Sequence, residues 1–205
     1  MSTVGEHASV LVFDLGGVAC QWLPDRRLAA LSGLSGLPPG TIDQLVFDSG
    51  FDDAGERGQF SPEAFATELA NMLGVDTSPA STVALRQAWA QAYEPLPSLL
   101  RVVRSAACRT ALFTNNGPLL EQSLAHELSV VGEVFDELLL SWRIGAAKPD
   151  DEAFRRATTV LGVAPDQVLF FDDSEPNVAA ARAFGWRAHR FTTVLDVQAT
   201  LATWT

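Results

Sequence analysis

The chain has 205 residues, 47% of them apolar and 19% charged, enough to bury one medium domain or a core carrying a modest insertion. Its 25 acidic against 14 basic residues leave a formal charge of −11, a field that repels nucleic acid and anionic membrane surfaces, and no window approaches the roughly 20 apolar residues of a membrane helix. Residues 1–8 lack the basic-then-apolar pattern of a secretory leader, and Cys20 and Cys108 are far apart without metal-ligand spacing, so the expectation is a cytoplasmic protein with buried thiols and no disulfide or structural zinc.

The first apolar run, 9–13, reads as a buried strand and leads into FDLGGV (13–18), where Asp14 stands before a glycine pair. Residues 20–94 carry helix signals and no convincing strand. Pro24 opens one helix and Thr41 another; Ser61-Pro62-Glu63 starts a third that stops at Gly74, and 81–93 makes a fourth, ended by Pro95 and Pro97. Between them, 51–58 (FDDAGERG) reads as a polar loop. Strands at 110–113, 137–140, 167–171 and 187–191 then alternate with helices at 119–128, 151–161 and 175–184, with Gly162 and Gly185 as stops for the last two. The expectation is an α/β fold: a doubly wound, Rossmann-like parallel sheet core (1–19 and 95–205) with an inserted all-helical cap (20–94). The joints near 20–23 and 94–97 would be where the cap opens and closes.

Ligands of such sheets bind at the carboxyl ends of the strands. Those ends carry Asp14, then Thr114-Asn115-Asn116, then Lys148-Pro149-Asp150, then Asp172-Asp173. Each has an ordinary reading alone: a turn aspartate, a helix N-cap, a surface lysine, a capping acid. Together they offer a carboxylate nucleophile, a hydroxyl, a cation for phosphoryl oxygens and an acid pair whose mutual repulsion calls for a metal ion.

In these four motifs the sequence resembles the haloacid dehalogenase-like hydrolase superfamily. FDLGGV is similar to its first motif, LFTNNG (112–117) to the second, GAAKPD (145–150) to the third and FFDDSEPNVAAARAFG (170–185) to the fourth, with Asn177 where many members carry a further acid. The resemblance implies Mg²⁺-dependent hydrolysis of a small phosphate ester through an aspartyl-phosphate on Asp14, with Thr114 and Lys148 orienting the transferred group. Mg²⁺ would be held by Asp14, the Gly16 main-chain carbonyl, Asp172 and Asp173.

Most phosphatases of the superfamily carry a second aspartate where this chain has Gly16. Loss of a general acid/base costs roughly 10²–10⁴-fold. Three explanations compete: a substrate with a good leaving group, such as a sugar 1-phosphate or acyl phosphate; an acid supplied by 51–58; or dehalogenation, which needs neither acid nor metal and is disfavoured by the Asp172-Asp173 pair. A binding or regulatory module with little turnover is the reading from a different class. Trp22, Glu56 and Arg57, with Phe60, are expected to line the cleft, joining Thr114, Asn115 and Lys148 in substrate binding. His7, His126 and His189 are assigned no role, and no heptad pattern sets an oligomeric state.

Overall fold

A computed structural model describes residues 9–204; the readings made of residues 1–8, His7 among them, lie outside it. Strands β1 (Val10–Phe13), β4 (Arg109–Thr114), β5 (Glu137–Leu140), β6 (Val168–Asp172) and β7 (Arg187–Arg190) form a parallel sheet in the order β5-β4-β1-β6-β7, while β2 (Cys20–Trp22) and β3 (Tyr93–Pro95) pair antiparallel beside it.

The continuous apolar runs are explained by burial on both faces. Leu11, Phe13, Leu112, Leu169 and Phe171 pack toward the helices Pro97–Arg104, Pro118–Ala125 and Val194–Ala202. The alternate residues Val10, Val12, Ala111, Phe113 and Phe170 pack against Asp151–Leu161 and Glu175–Phe184. The core is therefore a doubly wound α/β sheet. Among the described residues, no helix is long and apolar enough to cross a membrane.

Between β2 and β3 lie the helices Pro24–Ser35, Pro39–Asp43, a π turn Gln44–Asp48, Phe51–Glu56, Pro62–Leu73 and Pro79–Ala90. Ser61 caps its helix as its sequence suggests, its hydroxyl accepting from the Ala64 amide at 3.1 Å. Leu31, Ile42, Phe65, Leu69 and Trp89 form the centre of this layer, and Leu119 of the sheet-side helix Pro118–Ala125 joins it.

Three expectations change. The stretch 20–94 holds no long strand, yet its ends form the β2–β3 ribbon, in register Cys20↔Pro95 and Trp22↔Tyr93. The expected loop at 51–58 is largely helix, Phe51–Glu56, with Asp52 and Asp53 in its first turn, where the helix dipole favours acids. Gly55 serves packing there: a Cβ would lie 2.3 Å from Phe65 Cε2. The helix expected over 119–128 ends at Ala125, because Leu128 turns into the core and its amide bonds the Ser123 carbonyl at 2.8 Å.

Candidate active site

The sheet order makes β1 the switch point, with β4 on one side and β6 on the other, so their carboxyl ends open into one cleft. One residue past β1, the Asp14 amide bonds the Phe171 carbonyl at 2.9 Å, which fixes its carboxylate beside the end of β6. Lys148 reaches in from the third motif and is almost fully buried. Its ammonium donates to Asp14 Oδ1 at 2.8 Å, Asp172 Oδ2 at 2.7 Å and the Phe113 carbonyl at 2.8 Å.

Burial pushes the Asp14 carboxyl up to about 7; Lys148 opposes that shift and Asp172 adds to it. Burial works against the charge on Lys148, but the two carboxylates more than offset it and its pKa is raised. Asp172 is sealed from solvent. Beyond Lys148 it accepts from the Ser174 amide at 2.9 Å and from Asn177 Nδ2 at 3.1 Å on both oxygens, so protein donors take up its acceptor sites. Asn177 therefore braces the acid pair. Asp173 is more open, and burial, then its neighbour Asp172, raise its pKa.

Asp14, Asp172 and Asp173 each offer an oxygen lying within 4.8 Å of the others. Three hard oxygen donors this close together, with Lys148 the cation among them, fit a small divalent ion such as Mg²⁺. Since Asp172 is already engaged, Asp14 and Asp173 are the better placed to meet it. Gly17 makes the approach possible: its φ is +79°, and a Cβ would lie 2.3 Å from Asp173 Oδ2.

The second motif is tied in through hydrogen bonds. Asn116 Nδ2 donates to Thr114 Oγ1 at 2.8 Å, and Tyr93 OH donates to Asn116 Oδ1 at 2.7 Å. Ser141 Oγ accepts from the Asn116 amide at 2.9 Å. Asn115 grips the Lys148 peptide, donating to its carbonyl at 2.8 Å and accepting from its amide at 2.9 Å.

The resulting cleft is about 290 Å³. Its sheet side presents Asp14, Gly16, Thr114, Asn115, Asn116, Lys148 and Asp173, and the inserted helices contribute Arg27, Phe47, Asp52 and Glu56 across from them. Trp22 and Tyr93 form the aromatic wall between, ring centroids 5.1 Å apart. A larger cavity of about 550 Å³ lies at the opposite end of the sheet, where Cys108 precedes β4, and is lined mainly by Leu11, Val102, Leu201 and Trp204. That site lacks the convergent charges of catalysis. Cys108 there is only half-buried, unlike Cys20.

Of the expected site residues, Asp14, Gly16, Trp22, Glu56, Thr114, Asn115, Lys148 and Asp173 line the cleft, and Asp172 lies behind it. Arg57 does not. It faces outward, paired with Asp53 at 3.1 Å and Asp150 at 2.7 Å. Phe60 packs on Phe51 and Phe65 instead of lining the cleft. Neither His126 nor His189 lines it.

The cation on the helical side is Arg27, which the sequence did not single out. It is 3% exposed, with its guanidinium 4.3 Å from the Trp89 ring centroid and 4.9 Å from that of Trp22. Its Nε donates to the Trp89 carbonyl at 3.1 Å, while Nη2 is buried without a hydrogen-bond partner. Asp52 and Glu56 face it; burial raises Asp52 to about 6 and Glu56 to about 8. Tyr93, the chain's one tyrosine, was also missed, and Asn116, named at the strand end beside Thr114, had been given no role.

A family profile for haloacid dehalogenase-like hydrolases matches residues 46–185. Phosphatase MT3486 of Mycobacterium tuberculosis is 29% identical over 189 residues, spanning 88% of this chain and 86% of its own. The D-ribitol-5-phosphate phosphatase of Bacteroides thetaiotaomicron is 25% identical over 186 residues, 86% of this chain and 88% of its own. Among solved structures, a HAD family enzyme of Bacteroides thetaiotaomicron superposes with a TM-score of 0.78 at 20% identity, covering 95% of this chain and 98% of its own. That enzyme has also been solved in complex with magnesium and inorganic phosphate, a structure that superposes with a TM-score of 0.72 at 19% identity over 91% of this chain and 95% of that one.

Proposed function

The chain belongs to the haloacid dehalogenase-like hydrolases, and from that premise we propose that it hydrolyses a small phosphate monoester by transfer of the phosphoryl group to Asp14, with residues 20–94 acting as a cap over the cleft. The observation that carries the reading is Asp14 at the switch point of the sheet, ion-paired to buried Lys148 and flanked by a second and third carboxylate.

Lys148 favours the ionised, nucleophilic form of Asp14 and presents positive charge to the incoming phosphoryl oxygens. Asn115 holds the Lys148 peptide, and Asp172, braced by Asn177, anchors its ammonium. Thr114, aligned by Asn116 and Tyr93, offers its hydroxyl to a phosphoryl oxygen. Mg²⁺, held by Asp14, Asp173 and the Gly16 carbonyl with Asp172 behind them, would supply charge neutralisation for the phosphoryl group.

An aromatic wall facing two carboxylates and an arginine suits a polyhydroxylated leaving group: rings cover the apolar faces of a sugar or polyol while charged groups bond its hydroxyls. The ribitol phosphate in the name of one relative supports that class. Sugar 1-phosphates, whose leaving oxygen needs least protonation, are the first candidates. The test is phosphate release from a panel of sugar 1-phosphates, sugar 5- and 6-phosphates, nucleotides and acyl phosphates, with and without Mg²⁺, beside Asp14→Asn. Release that requires both Mg²⁺ and Asp14 supports the reading. No release from any member, with Mg²⁺ binding verified by calorimetry, overturns it in favour of a binding module.

A further inference from the structure

We propose that Glu56, from the helical side of the cleft, is the general acid and base of the reaction, taking the place of the acid that Gly16 does not provide; the inference rests on the phosphatase reading above.

Among the described residues, the sheet side of the cleft leaves no other source. Beyond Asp14 itself, its acids are Asp172, bound by Lys148, Ser174 and Asn177, and Asp173, which belongs to the cation cluster. A Cβ on Gly16 would point at Trp22 and Tyr93, 3.5 Å and 3.6 Å away. In-line displacement places the leaving oxygen on the far side of phosphorus from Asp14. That side of the cleft is built by the inserted helices, whose carboxylates here are Asp52 and Glu56.

Asp52 and Glu56 lie one turn apart on Phe51–Glu56, so they share the face that looks into the cleft, whereas Asp53 and Arg57 share the outward face. The groups that act on Glu56 are Asp52 and Asp53 from its own helix, and Arg27 and Lys148 from opposing elements. Tyr93 also lies within its field. The two carboxylates differ in how they are held. After burial, the leading influence on Asp52 is Arg27, which favours its charge; on Glu56 it is the repulsion of Asp52 and Asp53, which keeps its proton on. At neutral pH, Glu56 is the proton donor of the pair and Asp52, in the field of Arg27, the charged member. Arg27 supplies an independent sign of a ligand: its Nη2 is buried without a partner in the wall of the same cleft, positioned to meet a hydroxyl of the leaving group.

In the first half-reaction Asp14 attacks phosphorus, the bond to the leaving oxygen breaks, and the Glu56 carboxyl proton passes to that oxygen, releasing an alcohol. In the second, the Glu56 carboxylate takes a proton from water as the water oxygen attacks the aspartyl-phosphate; the bond to Asp14 breaks, phosphate leaves, and Glu56 is protonated again.

The experiment compares wild type, Asp14→Asn, Asp52→Asn, Glu56→Gln and Glu56→Ala with Mg²⁺ on an alkyl phosphate from the panel and on p-nitrophenyl phosphate, with circular dichroism as the folding control. Glu56→Gln is expected to lose roughly 10²–10⁴-fold in kcat/KM on the alkyl ester. On p-nitrophenyl phosphate, which needs no protonation, it should give a rapid burst of about one p-nitrophenolate per site and then stall, because water is no longer activated. Added formate should restore turnover to Glu56→Ala. A folded Glu56→Gln within roughly threefold of wild type on the alkyl ester overturns the assignment, as does the burst-and-stall pattern appearing in Asp52→Asn in its place. Wild type without phosphate release, or Asp14→Asn with wild-type turnover, overturns the phosphatase reading itself, and this inference with it.

Discussion

Replacing Lys148 by methionine would keep much of the side-chain volume and remove the ammonium between Asp14 and Asp172. In the wild type those contacts are 2.8 Å and 2.7 Å. At an effective dielectric near 20, each such pair attracts by about 6 kcal/mol. Desolvation offsets most of that attraction, but a carboxylate pair left buried without its cation costs about 3–5 kcal/mol. Urea unfolding in chelator at pH 8 should therefore show Lys148→Met less stable by that amount. The loss should shrink at pH 5. Asp14 already sits at about 7, and without the lysine its pKa rises further, so the folded variant takes up protons that the unfolded chain, near its ordinary value of 3.8, does not. Stability of the variant relative to wild type therefore climbs as pH falls from 8 to 5. Mg²⁺ should recover part of the loss at pH 8 by supplying the missing charge. A penalty below about 1 kcal/mol, or one equal at the two pH values, would refute the electrostatic account of this core.

Three more outcomes follow from the same geometry. Gly17→Ala drives a Cβ into Asp173 at a φ of +79°; the expected cost is about 1–3 kcal/mol with weaker Mg²⁺ binding, read by urea titration and calorimetry. Gly16→Asp meets only ordinary contacts at its Cβ, so the melting temperature should stay close to that of wild type, and in the Glu56→Gln background alkyl-ester turnover should recover about tenfold or more. Glu56, raised from 4.5 to about 8, binds a proton in the folded state that the unfolded chain releases. Wild-type stability therefore falls as pH rises between those values. Discounted for partial exposure, the loss is about 2 kcal/mol, so at pH 9 Glu56→Gln should unfold at higher urea than wild type.

The sheet and the polar residues at its strand ends are legible because doubly buried strands have to be apolar along their whole length, and a lone charge at such a strand's end stands out against them. The short ribbon strands carry no such pattern: in Cys20–Trp22 only Cys20 is buried, and three residues are too few to show a period. Gly55 and Gly58 make Phe51–Glu56 read as a loop, since the need for Gly55 comes from Phe65, a residue on another helix. The exchange of Arg57 for Arg27 has the same origin. Arg57 follows Glu56 in sequence, yet one residue along a helix turns a side chain by about 100°, out of the cleft. Arg27 follows Asp25 and Arg26 in a run that reads as solvated surface, and only the packing of the Trp22 ring with those of Trp89 and Tyr93, the last two from the far end of the inserted segment, shows that it is buried.

The β2–β3 ribbon has a bearing on how new specificities could be made from this scaffold. Because the chain leaves the sheet at Cys20 and comes back opposite it at Pro95, the inserted helices hang from two adjacent anchor points. Residues 23–92 can then be treated as a cartridge, replaceable by another segment whose termini lie one strand spacing apart, without disturbing the register of the five parallel strands. The retained rungs, Trp22 opposite Tyr93, would carry the aromatic wall and the hydrogen bond to Asn116 into every chimera, so the sheet side of the cleft would be inherited while Arg27, Asp52 and Glu56 leave with the exchanged segment, and each replacement would have to bring its own acid.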